Sequence, residues 1–96
     1  VKKKLRESRI EEAVCKYARD KGFLVYKFTS PARSFVPDRI FFKILVSTFT
    51  IEFKATGKKP TPPQEREHAR LRAAGVFVFV VDDIAFGKGV IDGMLM

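Results

Sequence analysis

The chain has 96 residues, 46% of them hydrophobic, which suits one small domain and leaves no room for a second. Nineteen Lys and Arg against 11 Asp and Glu give a net charge of +8, a balance that favours a polyanion and above all nucleic acid. One cysteine excludes an intrachain disulfide and a cysteine-based zinc site, and no stretch approaches the roughly 18 continuous apolar residues of a membrane span.

The basic start, Val1 to Leu5, is not followed by an apolar signal-type segment, so the expectation is a cytoplasmic protein without membrane contact. From Leu5 to Lys21 the positions Ile10, Ala13, Val14, Tyr17 and Ala18 recur at helical spacing, and Gly22 ends the pattern. Phe23 to Thr29 reads as a strand, after which the segment 30–37, with its two prolines, forms a loop that delivers Asp38. Arg39–Val46 and Thr48–Ala55 read as two more strands, with no Asn-Gly or Asp-Gly to mark the reversal between them. Residues 56–63 are a loop, and Thr61 followed by Pro62, Pro63 and Gln64 has the form of a capped helix start, the helix running to about Ala74 before Gly75. Val76–Val81 is continuously apolar, which predicts a strand covered on both faces and central or near-central in its sheet. The tail from Asp82 is Gly-rich, with room for a short helix in part of it. The order, helix, three strands, helix, strand, gives an α/β class with a mixed sheet flanked by helices, in one domain over 1–96.

The chemistry concentrates in Pro37-Asp38 and in Ile51-Glu52-Phe53-Lys54-Ala55. Because strand side chains alternate, Glu52 and Lys54 project together while Phe49, Ile51 and Phe53 take the other face. Hydrolysis of a phosphodiester needs a cation to neutralise growing charge and an activated water. Asp38 and Glu52 are hard oxygen ligands suited to Mg2+ or Mn2+, helped by a main-chain carbonyl beside Glu52 and by waters. Lys54 is placed to orient or deprotonate the water, or to stabilise the phosphorane. The plain alternative makes Asp38 a turn cap and Glu52 and Lys54 solvated strand residues. Glu11 is a possible third carboxylate: Glu7 and Glu11 fall at or beside the apolar stripe of the first helix, whereas Glu12 points away. Ser8 to Glu11 also fits a capping box, as does Thr61 to Gln64, so Glu11 and Gln64 each have a structural reading beside a functional one. Arg33, Arg39, Lys58, Lys59, Arg66, Arg70 and Arg72 are candidate phosphate contacts. His68, alone on a polar helix, reads as exposed, and Cys15 as packed.

With these residues in view, Val36-Pro-Asp-Arg-Ile40, Ile51-Glu-Phe-Lys-Ala55 with Gly57, Pro62-Pro-Gln64 and Arg70-Leu-Arg-Ala-Ala-Gly75, the chain resembles the PD-(D/E)xK nuclease superfamily. Within it, the chain resembles the VRR-NUC (virus-type replication-repair nuclease) group, over roughly Glu7 to Asp82. The resemblance implies a restriction-endonuclease-like fold in which Asp38 and Glu52 bind the metal, Lys54 serves the water and Gln64 sits beside the site. It also implies a glutamate from the first helix, which lands on Glu11, with Glu7 the open alternative. Phe35 departs from the pattern, since relatives often carry glycine there, as does Ala32 in a loop commonly containing glycine. Stand-alone members of the group are similar to phage proteins that dimerise and cut branched DNA such as four-way (Holliday) junctions. The expected function is thus a Mg2+- or Mn2+-dependent endodeoxyribonuclease acting on branched DNA as a homodimer. The alternatives are a nuclease for linear or nicked duplex and a non-catalytic basic DNA-binding module.

Overall fold

The computed structural model describes residues 3–96; Val1 and Lys2, at the start of the basic run, lie outside the described residues. Helix α1 (Glu7–Asp20) is followed by strands β1 (Leu24–Lys27), β2 (Arg39–Lys43) and β3 (Val46–Phe53). Helix α2 (Pro62–Ala73), strand β4 (Phe77–Val81) and helix α3 (Ile84–Leu95) complete the order. The sheet runs β1-β2-β3-β4, with the first three strands antiparallel and β4 parallel to β3.

Alternation along the strands decides which side chains enter the core. Phe49, Ile51 and Phe53 are fully buried, and they join Val25 and Phe41 from neighbouring strands to meet α1 and α3. Helix α1 contributes Ile10, Val14 and Ala18, spaced four apart and so aligned on one stripe. Removing each large side chain of this kind from water contributes roughly 1.5–3 kcal/mol, the main force holding helices to sheet. The Phe41 and Phe49 rings stack at 4.8 Å, and Phe23 meets both edge-on.

Three expectations need correction. Strand β4 is an edge strand, not a central one: its apolar run reports cover on its two faces, by α2 and by α3, and says nothing of lateral neighbours. The tail forms a full twelve-residue helix, capped by the Asp83 side chain accepting from the Phe86 amide and packed on α1 through Val90 and Ile91. The Ser8–Glu11 capping box does not form, because α1 starts one residue before Ser8, with Arg6 at the cap position and no side-chain cap. The β2–β3 reversal turns at Ile44-Leu45, with Leu45 at φ 63° and a register shift in β2 in place of a glycine turn. Among the described residues no helix is long and apolar enough to cross a membrane.

Candidate active site

Three elements converge on the sheet face opposite the Phe49-Ile51-Phe53 core. Arg39 pairs with Ile51 in the antiparallel register, so Asp38, one residue before it, is laid alongside Glu52. The Asp38 amide donates to the Ile51 carbonyl at 3.1 Å, and the Phe53 amide donates to Asp38 Oδ2 at 2.7 Å. These two bonds fix the carboxylate against β3.

Glu52 is 3% exposed, and β3 presents it toward α2. Lys54, two residues on, lies with its Nζ 3.8 Å from Glu52 Oε2. Gln64 joins them: Lys54 Nζ donates to Gln64 Oε1 at 2.7 Å, and Gln64 Nε2 donates to Glu52 Oε2 at 3.4 Å. The same Gln64 Oε1 accepts from the Thr61 amide at 2.9 Å, and Thr61 Oγ1 accepts from the Gln64 amide, so the capping box of α2 also forms. The capping reading of Gln64 therefore holds, and the same side chain is placed against Lys54 and Glu52.

His68, one turn after Gln64, is buried at 1% exposure, contrary to the expectation from its polar helix. Position decides the matter: spacing four from Gln64 puts it on the face that meets β3. Its Nε2 stands 3.5 Å from Glu52 Oε1, and neither atom has a hydrogen-bond partner. Burial and the positive charge of Arg72 depress the His68 pKa, so the ring is neutral and the contact is not a charge pair. The sequence carried a signal for this residue, the i to i+4 relation to Gln64, but polarity of the surrounding helix masked it.

The site is electrostatically loaded. Burial first, and the neighbouring Asp38 second, push the Glu52 carboxyl up to about 7, against the lowering effect of Lys54. Asp38 is also raised, chiefly by burial and further by Glu11, although the Phe53 amide favours its ionised form. The two helix carboxylates differ in their engagement. Glu11 Oε2 accepts from Arg39 Nε at 2.6 Å, and its charge acts on Asp38. Glu7 is raised by burial and by Asp38, and its charge in turn acts on Glu52.

Among the described residues no three of His, Cys, Asp and Glu form a ready metal centre. The donor set nevertheless suits a hard cation with oxygen ligands: two adjacent carboxylates, of which Asp38 disfavours ionisation of Glu52, and one buried Glu52 oxygen without a partner. Completing such a shell would require main-chain oxygen and water.

The basic residues have separate fates. A cleft of about 330 Å³ beside Asp38 is lined by Glu11, Lys27, Thr29 and Arg39 among others. Arg33 and Arg70 both reach buried Glu67, at 2.8 and 3.5 Å, and with Arg66 they line a second groove. Lys58 and Lys59 stand exposed on the β3–α2 loop. Arg72 is spent on the fold, donating through Nε and Nη2 to the Val78 carbonyl.

No family model matches the chain. It is 46% identical over 78 residues to "Putative nuclease p44" of Acyrthosiphon pisum secondary endosymbiont phage 1, across 81% of this chain and 84% of that protein. Its fold matches a solved VRR-NUC domain with a TM-score of 0.83 and 31% identity, over 90% of this chain and 94% of the other. The mixed four-stranded sheet between helices is the architecture of that domain. A shared fold together with identity at this level across most of both chains establishes that this protein belongs to the VRR-NUC family of nuclease domains.

Proposed function

We propose that the protein is a Mg2+- or Mn2+-dependent endodeoxyribonuclease that hydrolyses phosphodiester bonds in branched DNA. The observation that carries the reading is that Asp38, held by the Phe53 amide, lies alongside the bonded trio of Glu52, Lys54 and Gln64 on one face of the sheet.

In this reading Asp38 and Glu52 hold the cation, with a main-chain carbonyl beside Glu52 and water, and a helix carboxylate, Glu11 with Glu7 as its rival, faces the same site. When bound, the cation supplies charge neutralisation at the phosphate and a more acidic water. The protein's own groups do the rest. Gln64 holds the Lys54 ammonium beside Glu52, where it orients the attacking water and stabilises negative charge that grows on the phosphate oxygens. Arg33, Arg39, Lys58, Lys59, Arg66 and Arg70 draw in the DNA backbone. The bond between Arg39 and Glu11 aims that guanidinium at the cleft beside Asp38.

A homodimer fits a four-way junction, since two equal sites related by a two-fold axis meet a nearly two-fold substrate. Leu24 and Tyr26, exposed on β1, offer apolar surface for such pairing. The test is cleavage of a synthetic four-way junction and of linear duplex with the same sequences, each with and without Mg2+ or Mn2+. We expect metal-dependent cleavage that favours the junction. Lys54→Ala should lower it by about a hundredfold or more while leaving DNA affinity within about twofold. Full turnover by that variant would refute the assignment of Lys54, and binding without any cleavage in the wild type would leave a non-catalytic DNA-binding module.

A further inference from the structure

Phe35 has no part in the cluster just described, and its placement is unfavourable for the free protein. Its backbone sits at φ 67°, a left-handed conformation that a bulky side chain rarely adopts, and 51% of its surface is exposed. The ring is not in the hydrophobic core. It stands instead in a groove of about 280 Å³ with Arg33, Pro63, Arg66, Glu67 and Arg70.

That groove is built. Glu67, on α2 and 7% exposed, receives Arg33 from the loop and Arg70 from its own helix, which ties the loop to α2. Three guanidinium groups against one carboxylate leave the groove positive. It also adjoins the active site along two chain segments: Phe35 is three residues from Asp38, and Pro63 is next to Gln64.

We infer that the groove binds one unstacked nucleotide of the strand being cut, with Phe35 as the stacking platform and Arg33, Arg66 and Arg70 around the adjoining phosphates. The inference rests on the nuclease reading for its substrate and adds a requirement to it: a nucleotide beside the scissile phosphate must leave its duplex stack. An aromatic ring accepts any base face, so the contact is tolerant of sequence. Extrusion costs least where pairing is already broken or strained, which favours branch points and flaps over continuous duplex.

The experiment measures binding, without divalent ions, of two probes of equal sequence: a duplex with a single-stranded flap carrying 2-aminopurine, and the fully paired duplex. Wild type should bind the flap and quench its fluorescence. Phe35→Ala and Phe35→Gly should each weaken flap binding by about tenfold and remove the quench, with fully paired duplex affected less than about twofold. Phe35→Trp should retain both signals. Glycine tolerates a positive φ, so Phe35→Gly removes the ring while permitting the loop conformation. Equal weakening on both probes, or an unaltered flap affinity in Phe35→Gly, overturns the inference. Adding Mn2+ to the same wild-type mixtures scores the nuclease reading separately. Stacking without cleavage sustains the groove and defeats that reading; cleavage with a flap affinity indifferent to Phe35 does the opposite.

Discussion

His68 and Gln64 stand at the two oxygens of one carboxylate. Gln64 Nε2 reaches Glu52 Oε2, and His68 Nε2 faces Oε1 across 3.5 Å of protein interior. A neutral ring with its proton on Nε2 would set the plane of the carboxylate without cancelling its charge. His68→Ala is expected to weaken Mn2+ binding, measured by calorimetry without DNA, by about tenfold, whereas His68→Gln, which keeps an N–H donor, recovers most of it. An unaltered affinity in His68→Ala would make the residue a packing element only.

Cys15 offers a test of burial by pH. Loss of solvent pushes its thiol up to about 11, against an ordinary value of 9.0. The folded protein therefore keeps the proton between pH 9 and 11 while the unfolded chain releases it. Stability tied to this thiol is complete below pH 9 and is lost as the pH rises toward 11, by an amount on the order of 2–3 kcal/mol at about 1.4 kcal/mol per unit. Denaturant melts of wild type and Cys15→Ala across that range should show the steeper decline in wild type. Parallel slopes would deny the burial of the thiol.

At the scale of elements, α3 closes the core on a close approach. A Cβ at Gly87 would meet Val14 Cγ2 at 2.5 Å and Val81 Cγ1 at 3.0 Å, so glycine is what lets α3 rest against both α1 and β4. Alanine would gain about 1 kcal/mol in helix propensity and lose roughly 1–3 kcal/mol to overpacking. Gly87→Ala should therefore lower the Tm by a few degrees or more, while Gly89→Ala, which meets nothing within 4 Å, should hold or raise it. The reverse ranking would mean that α3 packs elsewhere. The sequence could not announce this helix, since glycines at 87, 89 and 93 argue against helix by propensity and the tertiary contact overrides them. It announced α1, α2 and β3 clearly, because Ile10, Val14 and Ala18 keep helical spacing, Thr61 and Gln64 cap in register, and Phe49, Ile51 and Phe53 alternate.

For the molecule as a whole, charge is divided unevenly. Several carboxylates, Glu7, Glu11, Asp38 and Glu52, influence one another at the site, which leaves the remaining surface still more positive than a net +8 suggests. DNA affinity should fall linearly in log–log form with salt, and Lys58→Ala with Lys59→Ala should flatten the slope by about 0.9 for each phosphate contact removed. An unaltered slope would place those lysines away from the DNA. That Glu52 and Lys54 share a face was legible in their spacing, since strand alternation is local. Contacts that depend on how α2 lies over β3 and over the β1–β2 loop, those of His68 with Glu52 and of Arg33 with Glu67, were not, because no local rule sets the distance between elements remote in sequence.

One shared amide has a mechanical consequence. Because Gln64 both seals the opening turn of α2 and tethers the Lys54 ammonium, fraying at that helix end and release of the lysine become a single event. The Lys54 ammonium is thus only as well aimed as the helix is wound. Whatever steadies the approach of residues 56–61, a DNA backbone pressing on that loop included, tightens the aim, so the substrate would help to set the tool that cuts it.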